Sequence, residues 1–179
     1  MILSVRRLRS SDDRSRFRSG QVDLDRFFLR FAGQNQFRHH LGTTYVAVDE
    51  DDLIVGFATV SASQIEAQDL PLAKTKRLPN YPLPVLRLAR LATHEDFHGS
   101  GLGSMLLRAV FVLARQMARD YGCVGVLVDA KSESVEYYKR FGFFEISTLR
   151  GELGDRPAPT IMFLELGAIP HIADVPPGD

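Results

Sequence analysis

Hydrophobic positions along the chain follow two periods, and the points where one gives way to the other outline the elements. Residues 2–8 alternate, which predicts a first strand. After the turn-forming run Ser10-Ser11-Asp12-Asp13, the residues Leu24, Phe27, Phe28 and Phe31 recur at i, i+3, i+4 and i+7. That spacing predicts a helix, with Asp23 as its cap. The apolar runs 43–48 and 53–61 flank the acidic cluster Asp49-Glu50-Asp51-Asp52 and predict a hairpin. Residues 66–84 carry Pro71, Pro79, Pro82 and Pro84 and read as a connection between strands. The run 85–92 is again apolar. Beyond it, Leu102, Met105, Leu106, Ala109, Val110, Leu113 and Met117 form one stripe of a long helix, with Arg108, Arg115 and Arg119 off the stripe and Gly122 as its stop.

Residues 124–130 are almost uniformly apolar, as in a strand covered on both faces. Ser132 would cap a short helix with Glu133 and Glu136 in its first turn and Lys139 and Arg140 in its last, ended by Gly142. The runs 143–149 and 160–166 predict the last strands. The whole reads as one α/β domain over residues 1–166, a mixed, mostly antiparallel sheet with helices on both faces. Residues 167–179, with three prolines, read as a frayed tail.

Composition changes this picture little, but charge placement changes it more. The chain has 179 residues and a formal net charge of zero, and no window is apolar enough to span a membrane. The single cysteine, Cys123, sits in an apolar run and reads as core. With no disulfide possible, a reducing cytoplasm is expected. Of 22 basic residues 18 are arginine, and residues 71–90 hold Lys74, Lys76, Arg77, Arg87 and Arg90 without one acid. Arginine grips phosphate bidentately, so this segment is a candidate surface for a polyanion. Arg6, Arg7 and Arg9 would widen it.

The run 85–92 leads into His98-Gly99-Ser100-Gly101-Leu102-Gly103, which opens the long helix. A strand, a glycine-rich turn and a helix N-terminus together offer unpaired N–H donors and a positive dipole end to an anion. A P-loop is excluded because Ser104-Met105 stands where Lys-Ser/Thr would follow the last glycine. A Rossmann turn is excluded because the bend lies in mid-chain and Asp120 ends the helix. Downstream lies Tyr137-Tyr138-Lys139-Arg140-Phe141-Gly142-Phe143. On a short helix these tyrosines point to different faces, so at most one belongs to the core. A neutral tyrosine, with a pKa of about 10, can protonate a departing thiolate, whose acid has a pKa of about 8.5.

These two motifs, in this order, resemble the GNAT acetyltransferase superfamily. There Gln/Arg-x-x-Gly-x-Gly/Ala follows a bulged central strand, and an aromatic-Tyr-x-x-Phe-Gly-Phe helix comes later. Gly101 and Gly103 match the glycines, Tyr138 matches the tyrosine, and His98 stands at the Gln/Arg position. Residues 17–165 are similar to the GNAT toxins of bacterial toxin–antitoxin pairs. The matching segments are Phe17-Arg18-Ser19-Gly20 with Leu24-Asp25-Arg26-Phe27-Phe28, Leu78-Pro79 with Tyr81-Pro82, Arg90-Leu91-Ala92, and Val128-Asp129-Ala130-Lys131. Ser19 replaces the cysteine usual in that group.

The resemblance implies a fold whose sheet splays near Arg90–Thr93 and takes acetyl-CoA there. Leu91, Ala92 and Thr93 would meet the acetyl-pantetheine arm, and His98, Gly99, Ser100, Gly101, Leu102, Gly103 and Ser104 the pyrophosphate. Tyr138 would return a proton to the CoA thiolate. The Ala92 N–H is the expected donor to the tetrahedral oxyanion. The acceptor implied is the α-amine of aminoacyl-tRNA, with Arg77, Arg87 and Arg90 on its phosphates. A neutralising antitoxin and a homodimer are the implied partners. An α-amine of pKa about 7.7–8.0 needs no strong base, and none stands out; His94, Glu95 and Asp96 lie near the bend. Two other readings stay open: an enzyme acetylating a small amine, peptide N-terminus or lysine, and a CoA-binding module without turnover.

Overall fold

The computed structural model describes residues 1–71, 78–146 and 159–170. Seven strands are hydrogen-bonded in the order β1-β2-β3-β4-β5-β7-β6. They are β1 (Ser4–Arg7), β2 (Thr43–Val48), β3 (Ile54–Ile65), β4 (Leu83–Thr93), β5 (Gly125–Ala130), β6 (Phe144–Glu145) and β7 (Thr160–Glu165). The pairs β1/β2, β2/β3, β5/β7 and β6/β7 are antiparallel. Neighbours β4 and β5 are joined by the long helix Leu102–Asp120, a crossover that only a parallel pair requires. The mixed, mostly antiparallel sheet expected from the sequence is therefore present.

The described residues form two compact units that alternate along the sequence: 1–61 with 88–112, and 62–87 with those between 113 and 170. Strands β3 and β4 and the long helix run through both, so no sequence boundary marks them. Unit one is built on phenylalanine. Phe28 stacks on Phe57 with centroids 4.4 Å apart, and Phe17 meets both edge-on at 4.9 and 5.4 Å. Leu8, Val46, Val48, Ile54 and Ala92 complete the cluster. Unit two has its own cluster, with Leu83, Val85, Leu127, Ile161 and Phe163 among its buried members.

The first helix departs from the expected stripe. It begins as α1 (Val22–Arg26), passes through a π-helical turn (Phe27–Phe31) and continues as α2 (Ala32–Phe37). The π turn inserts one residue into the α repeat and rotates everything after it. Phe27 and Phe28 stay buried, but Phe31 is 45% exposed and Ala32 takes the inward place. Arg14 donates to the Phe28 carbonyl at 2.9 Å inside this turn. Asp23 is not the cap. The residue before the helix is Gln21, and no side chain caps it. Instead the Asp25 carboxylate accepts from the Ser19 N–H and hydroxyl at 2.8 and 2.6 Å, tying the preceding loop down.

The long helix, α3 (Leu102–Asp120), is also turned from the expected stripe. Leu102, Leu106 and Val110 are buried as expected, but Leu107, Phe111 and Ala114 join them while Met105, Ala109, Leu113 and Met117 are only partly covered. Both stripes are apolar, and the sheet surface selects between them. Gly56 permits the close approach of the helix start: a Cβ there would lie 2.9 Å from Leu106 Cδ1, 3.4 Å from Leu102 Cδ2 and 3.2 Å from the Ala92 carbonyl. Since Phe57 faces α1 and α2, the adjacent Gly56 faces the other side of the sheet, and unit one carries helices on both faces. Gly56→Ala is expected to cost about 1–3 kcal/mol by overpacking and to shift the start of α3. Chemical denaturation measures the first effect and hydrogen exchange at the first turns of α3 the second.

Gly122, at φ +100, ends α3 as expected, its N–H and that of Tyr121 both bonding the Met117 carbonyl. Ser132 does not cap the next helix. It opens a 3₁₀ turn (Ser132–Ser134) that leads into α4 (Val135–Lys139). The 147–149 part of the expected 143–149 strand lies outside the described residues. Ile169, expected in the frayed tail, is 3% exposed, and Arg115 donates to its carbonyl at 3.0 Å.

Candidate active site

Strand β4 ends at Thr93, and the chain turns through a 3₁₀ segment (Glu95–Phe97) into the glycine bend. His94 caps that turn, its Nδ1 accepting the Asp96 N–H at 3.2 Å. This fixes the imidazole as a structural acceptor and removes Nδ1 from any role as base. The Glu95 N–H donates to the Arg18 carbonyl at 2.8 Å, so the 17–20 loop is anchored at the same place. Glu95 and Asp96 are exposed.

Gly99 and Gly101 have φ of +77 and +83, a conformation glycine adopts without strain. The Ser100 N–H and hydroxyl both return to the Phe97 carbonyl, at 3.2 and 2.7 Å. Met105 then bonds back to the Gly101 carbonyl at 3.1 Å. The amides of Leu102, Gly103 and Ser104 precede that bond and belong to the donors a helix start cannot satisfy internally. A Cβ on Gly101 would meet nothing within 4 Å, so the bend is open on that side. Leu102 and Ser104 are buried, which holds the helix start rigid, while His98, Gly99 and Ser100 are exposed. Exposed backbone donors at a helix start are the kind of group that receives an anion.

The backbone of β4 corrects one expectation. The His94 N–H donates to the Val55 carbonyl on β3 at 2.7 Å, and the Ala92 carbonyl lies against Gly56, also on β3. In a strand beside an antiparallel neighbour these directions alternate residue by residue. Ala92 therefore turns its polar groups toward β3, and Leu91 and Thr93 turn theirs to the opposite edge. The oxyanion donor cannot be Ala92, whose side chain is core; Leu91 and Thr93 are the candidates.

In unit two, Tyr138 is buried and Tyr137 half-buried, as two successive helical positions demand. The Tyr138 ring packs edge-on against Tyr137 and Phe143, at centroid distances of 5.3 and 5.4 Å. Gly142, at φ +93, ends the segment, and the Phe143 N–H returns to the Tyr138 carbonyl at 3.3 Å. Burial, and next the neighbouring Tyr137, push the Tyr138 phenol above its ordinary value. It is neutral at any physiological pH.

The basic candidates fare unequally. Arg77 lies outside the described residues. Arg87 pairs with Asp129, which corrects its reading as a phosphate contact. Arg90 is exposed, with its guanidinium carbon 3.8 Å above the Phe27 ring. Arg6 bonds Asp12 at 2.8 Å and Asp52 at 3.0 Å, Arg9 also reaches Asp52, and Arg7 contacts the Tyr45 hydroxyl. The widened basic surface is thus largely neutralised. Burial opposes ionisation of Asp12, but the Arg6 guanidinium outweighs it and holds that carboxyl below the usual range. This part of the stability is present above pH about 4 and is lost as pH falls through the depressed value.

Residues 40–145 match the Acetyltransferase (GNAT) domain family. The tRNA-acetylating toxin of Mycobacterium tuberculosis is 33% identical over 143 residues, covering 79% of this chain and 84% of the relative. This chain belongs to the GNAT acetyltransferase family. Among solved structures, AtaT complexed with acetyl-methionyl-tRNAfMet superposes with a TM-score of 0.82 at 21% identity, over 93% of this chain and 96% of that one. A tyrosine-to-phenylalanine variant of AtaT, bound to the C-terminus of the antitoxin AtaR and acetyl-CoA, gives 0.74 at 20% identity, over 94% and 96%.

Two determinants of this GNAT site were hidden in the sequence. Gly56 sits inside an apolar hairpin strand and gave no signal, because its role is to admit helix side chains from elsewhere. The cap formed by His94 is equally silent, since histidine is a minor cap type; its position just after an apolar strand and two residues before Asp96 was the available hint. Among the described residues, no helix of this GNAT chain is long and apolar enough to cross a membrane.

Proposed function

We propose that this chain acetylates the α-amino group of aminoacyl-tRNA with acetyl-CoA and so blocks translation as the toxin of a toxin–antitoxin pair. The observation that carries the reading is the open cradle of helix-start amides at Gly101–Ser104 on a chain one-third identical to a tRNA-acetylating toxin. The amine nitrogen attacks the thioester carbon, and the amide of Leu91 or Thr93 receives the oxyanion. Collapse breaks the carbon–sulfur bond, Tyr138 gives its phenolic proton to the leaving thiolate, and the acylated ammonium loses one to solvent. Solvent then restores the phenol.

An antitoxin partner, cytoplasmic action and a homodimer belong to this proposal. They are supported by resemblance and by the AtaT complex with AtaR. The neutralisation of Arg6, Arg9 and Arg87 by Asp12, Asp52 and Asp129 favours a second reading, a small-amine acceptor. Labelled acetyl-CoA offered with mixed aminoacyl-tRNAs, peptides and polyamines decides between them by where the label goes. Label on the aminoacyl end, with growth arrest on induction, supports the toxin; label on polyamines alone overturns it.

The cradle makes its own prediction. Gly101→Val places a branched residue at positive φ, costing about 1–2 kcal/mol in strain and disturbing the bend that presents the donors. The KM for acetyl-CoA is expected to rise about tenfold or more, while the KM for the acceptor stays put. Steady-state kinetics with each substrate varied in turn measures both.

A further inference from the structure

The loop 17–20 and the carboxylate of Asp25 take no part in the chemistry above, yet they hold the turn from which the glycine bend springs. Loop, carboxylate and bend all belong to unit one. Ser19 is 3% exposed. Its N–H and hydroxyl both donate to one oxygen of Asp25, at 2.8 and 2.6 Å, and its hydroxyl oxygen accepts the Gln21 N–H at 3.2 Å. Hydrogen bonds to an ionised acceptor are roughly twice as strong as neutral ones. Asp25 therefore fastens the loop to α1 more firmly than a neutral side chain would.

On its other side the loop reaches past the end of β4. The Arg18 carbonyl accepts the Glu95 N–H at 2.8 Å, and the Phe17 ring meets the His94 imidazole edge-on at 5.9 Å. The His94 N–H bonds the Val55 carbonyl of β3 at 2.7 Å. Strand pairing thus holds the near end of the 94–97 turn, and the loop holds it beyond the strand. The glycine bend follows directly, with Ser100 bonded back to the Phe97 carbonyl, so a shift of the turn carries the bend with it.

We propose that Asp25 is a positioning residue for acetyl-CoA: acting through Ser19 and the Arg18 carbonyl, its carboxylate sets where the helix-start amides of α3 point. This rests on the acetyl-CoA cradle proposed above and holds for either acceptor. The reacting end of β4 is held by strand pairing rather than by the loop. Loss of Asp25 should therefore weaken acetyl-CoA binding at nearly unchanged turnover, the mark of binding energy common to ground and transition states.

Asp25→Ala should raise the KM for acetyl-CoA about fivefold or more and leave kcat and the KM for the acceptor within about twofold. Asp25→Asn keeps an oxygen that can accept both donors and should recover most of the loss. Asp12→Ala is the matched control. That carboxylate also accepts a backbone N–H, from Arg9, and pairs with Arg6 in the same unit. Its loss should lower Tm and leave the KM for acetyl-CoA in place. Glu95→Pro tests the route. Glu95 opens the 3₁₀ turn, and His94 before it is extended at φ −59 and ψ 142, a backbone that accepts proline. The proline lacks the N–H, and its ring pushes the Arg18 carbonyl away. In that background Asp25→Ala should add less than about twofold to the KM. Hydrogen exchange is independent of activity: in Asp25→Ala the Glu95 amide should exchange about tenfold faster while the amides of β2 and β3 keep their rates.

An unmoved KM for acetyl-CoA in Asp25→Ala would overturn the proposal. So would an equal rise in Asp12→Ala, or a full Asp25→Ala effect beside Glu95→Pro. Ser19→Ala removes the hydroxyl donor alone and carries the same test, with a smaller rise expected, if Asp25→Ala folds poorly. An unchanged Glu95 amide in that variant overturns the proposal as well. If Gly101→Val leaves the KM for acetyl-CoA unchanged, the cradle itself fails, a result distinguishable from each of these.

Discussion

Tyr138→Phe should lower kcat by about 10²- to 10⁴-fold, the usual worth of a positioned acid, with little change in the KM for acetyl-CoA. The substitution removes one oxygen and keeps the ring that packs on Tyr137 and Phe143, so Tm should hold within about 4 °C. Loss of rate with retained fold and binding separates proton delivery from packing. A variant that turns over at the original rate would return Tyr138 to the ordinary core.

The pH profile gives an independent reading. Burial raises the phenol, so the acid stays protonated and no basic limb from it appears below pH about 10. The acceptor α-amine must be neutral, so the rate should climb through pH about 8 and level off. Stability runs the other way. The unfolded phenol ionises near pH 10 and the folded one higher, so the fold loses stability as pH rises above about 10. Thermal melts across pH 8 to 11 check the sign.

The second large effect concerns the fold. Gly125→Ala is expected to destabilise the protein by about 3 kcal/mol, lowering Tm by roughly 6–12 °C. Gly125 pairs with Glu165 at the start of the β5/β7 ladder. A Cβ there would overlap the Leu164 carbonyl and crowd the Phe163 ring, within 2.7 Å of Cε2. A side-chain ring can swing aside, but a ladder carbonyl cannot move without breaking its own pairing, so the strain has no cheap exit. Melting temperature, and hydrogen exchange along β5 and β7, measure it.

What the sequence disclosed and what it withheld divide along physical lines. Strand alternation, the long helix with its Gly122 stop, and the glycine bend were legible because each is written locally, in spacing and backbone freedom. That at most one of Tyr137 and Tyr138 belongs to the core was legible for the same reason, but not which one. The rest depends on partners far away in the chain. The π turn is invisible to a 3.6-residue period because the period itself is what it breaks. The true inward stripe of α3 was undecidable between two apolar stripes that share Leu102, Leu106 and Val110, until the sheet surface settled which of their neighbours turns inward. Arg87 looked like a ligand for phosphate in an acid-free segment, since Asp129 lies 42 residues downstream. The direction of the Ala92 amide follows from ladder hydrogen bonds that no residue type encodes.

The extra residue in the helical turn at Phe27–Phe31 makes this stretch sensitive to length in a way substitution scans would miss. Deleting Leu29 would let the run close into an uninterrupted spiral. Phe31 would then compete for the interior seat that Ala32 holds, and Phe27 would swing off the guanidinium of Arg90. The packing of unit one would change with almost every side chain still present, so a one-residue deletion here should lower the melting temperature more than Leu29→Ala does.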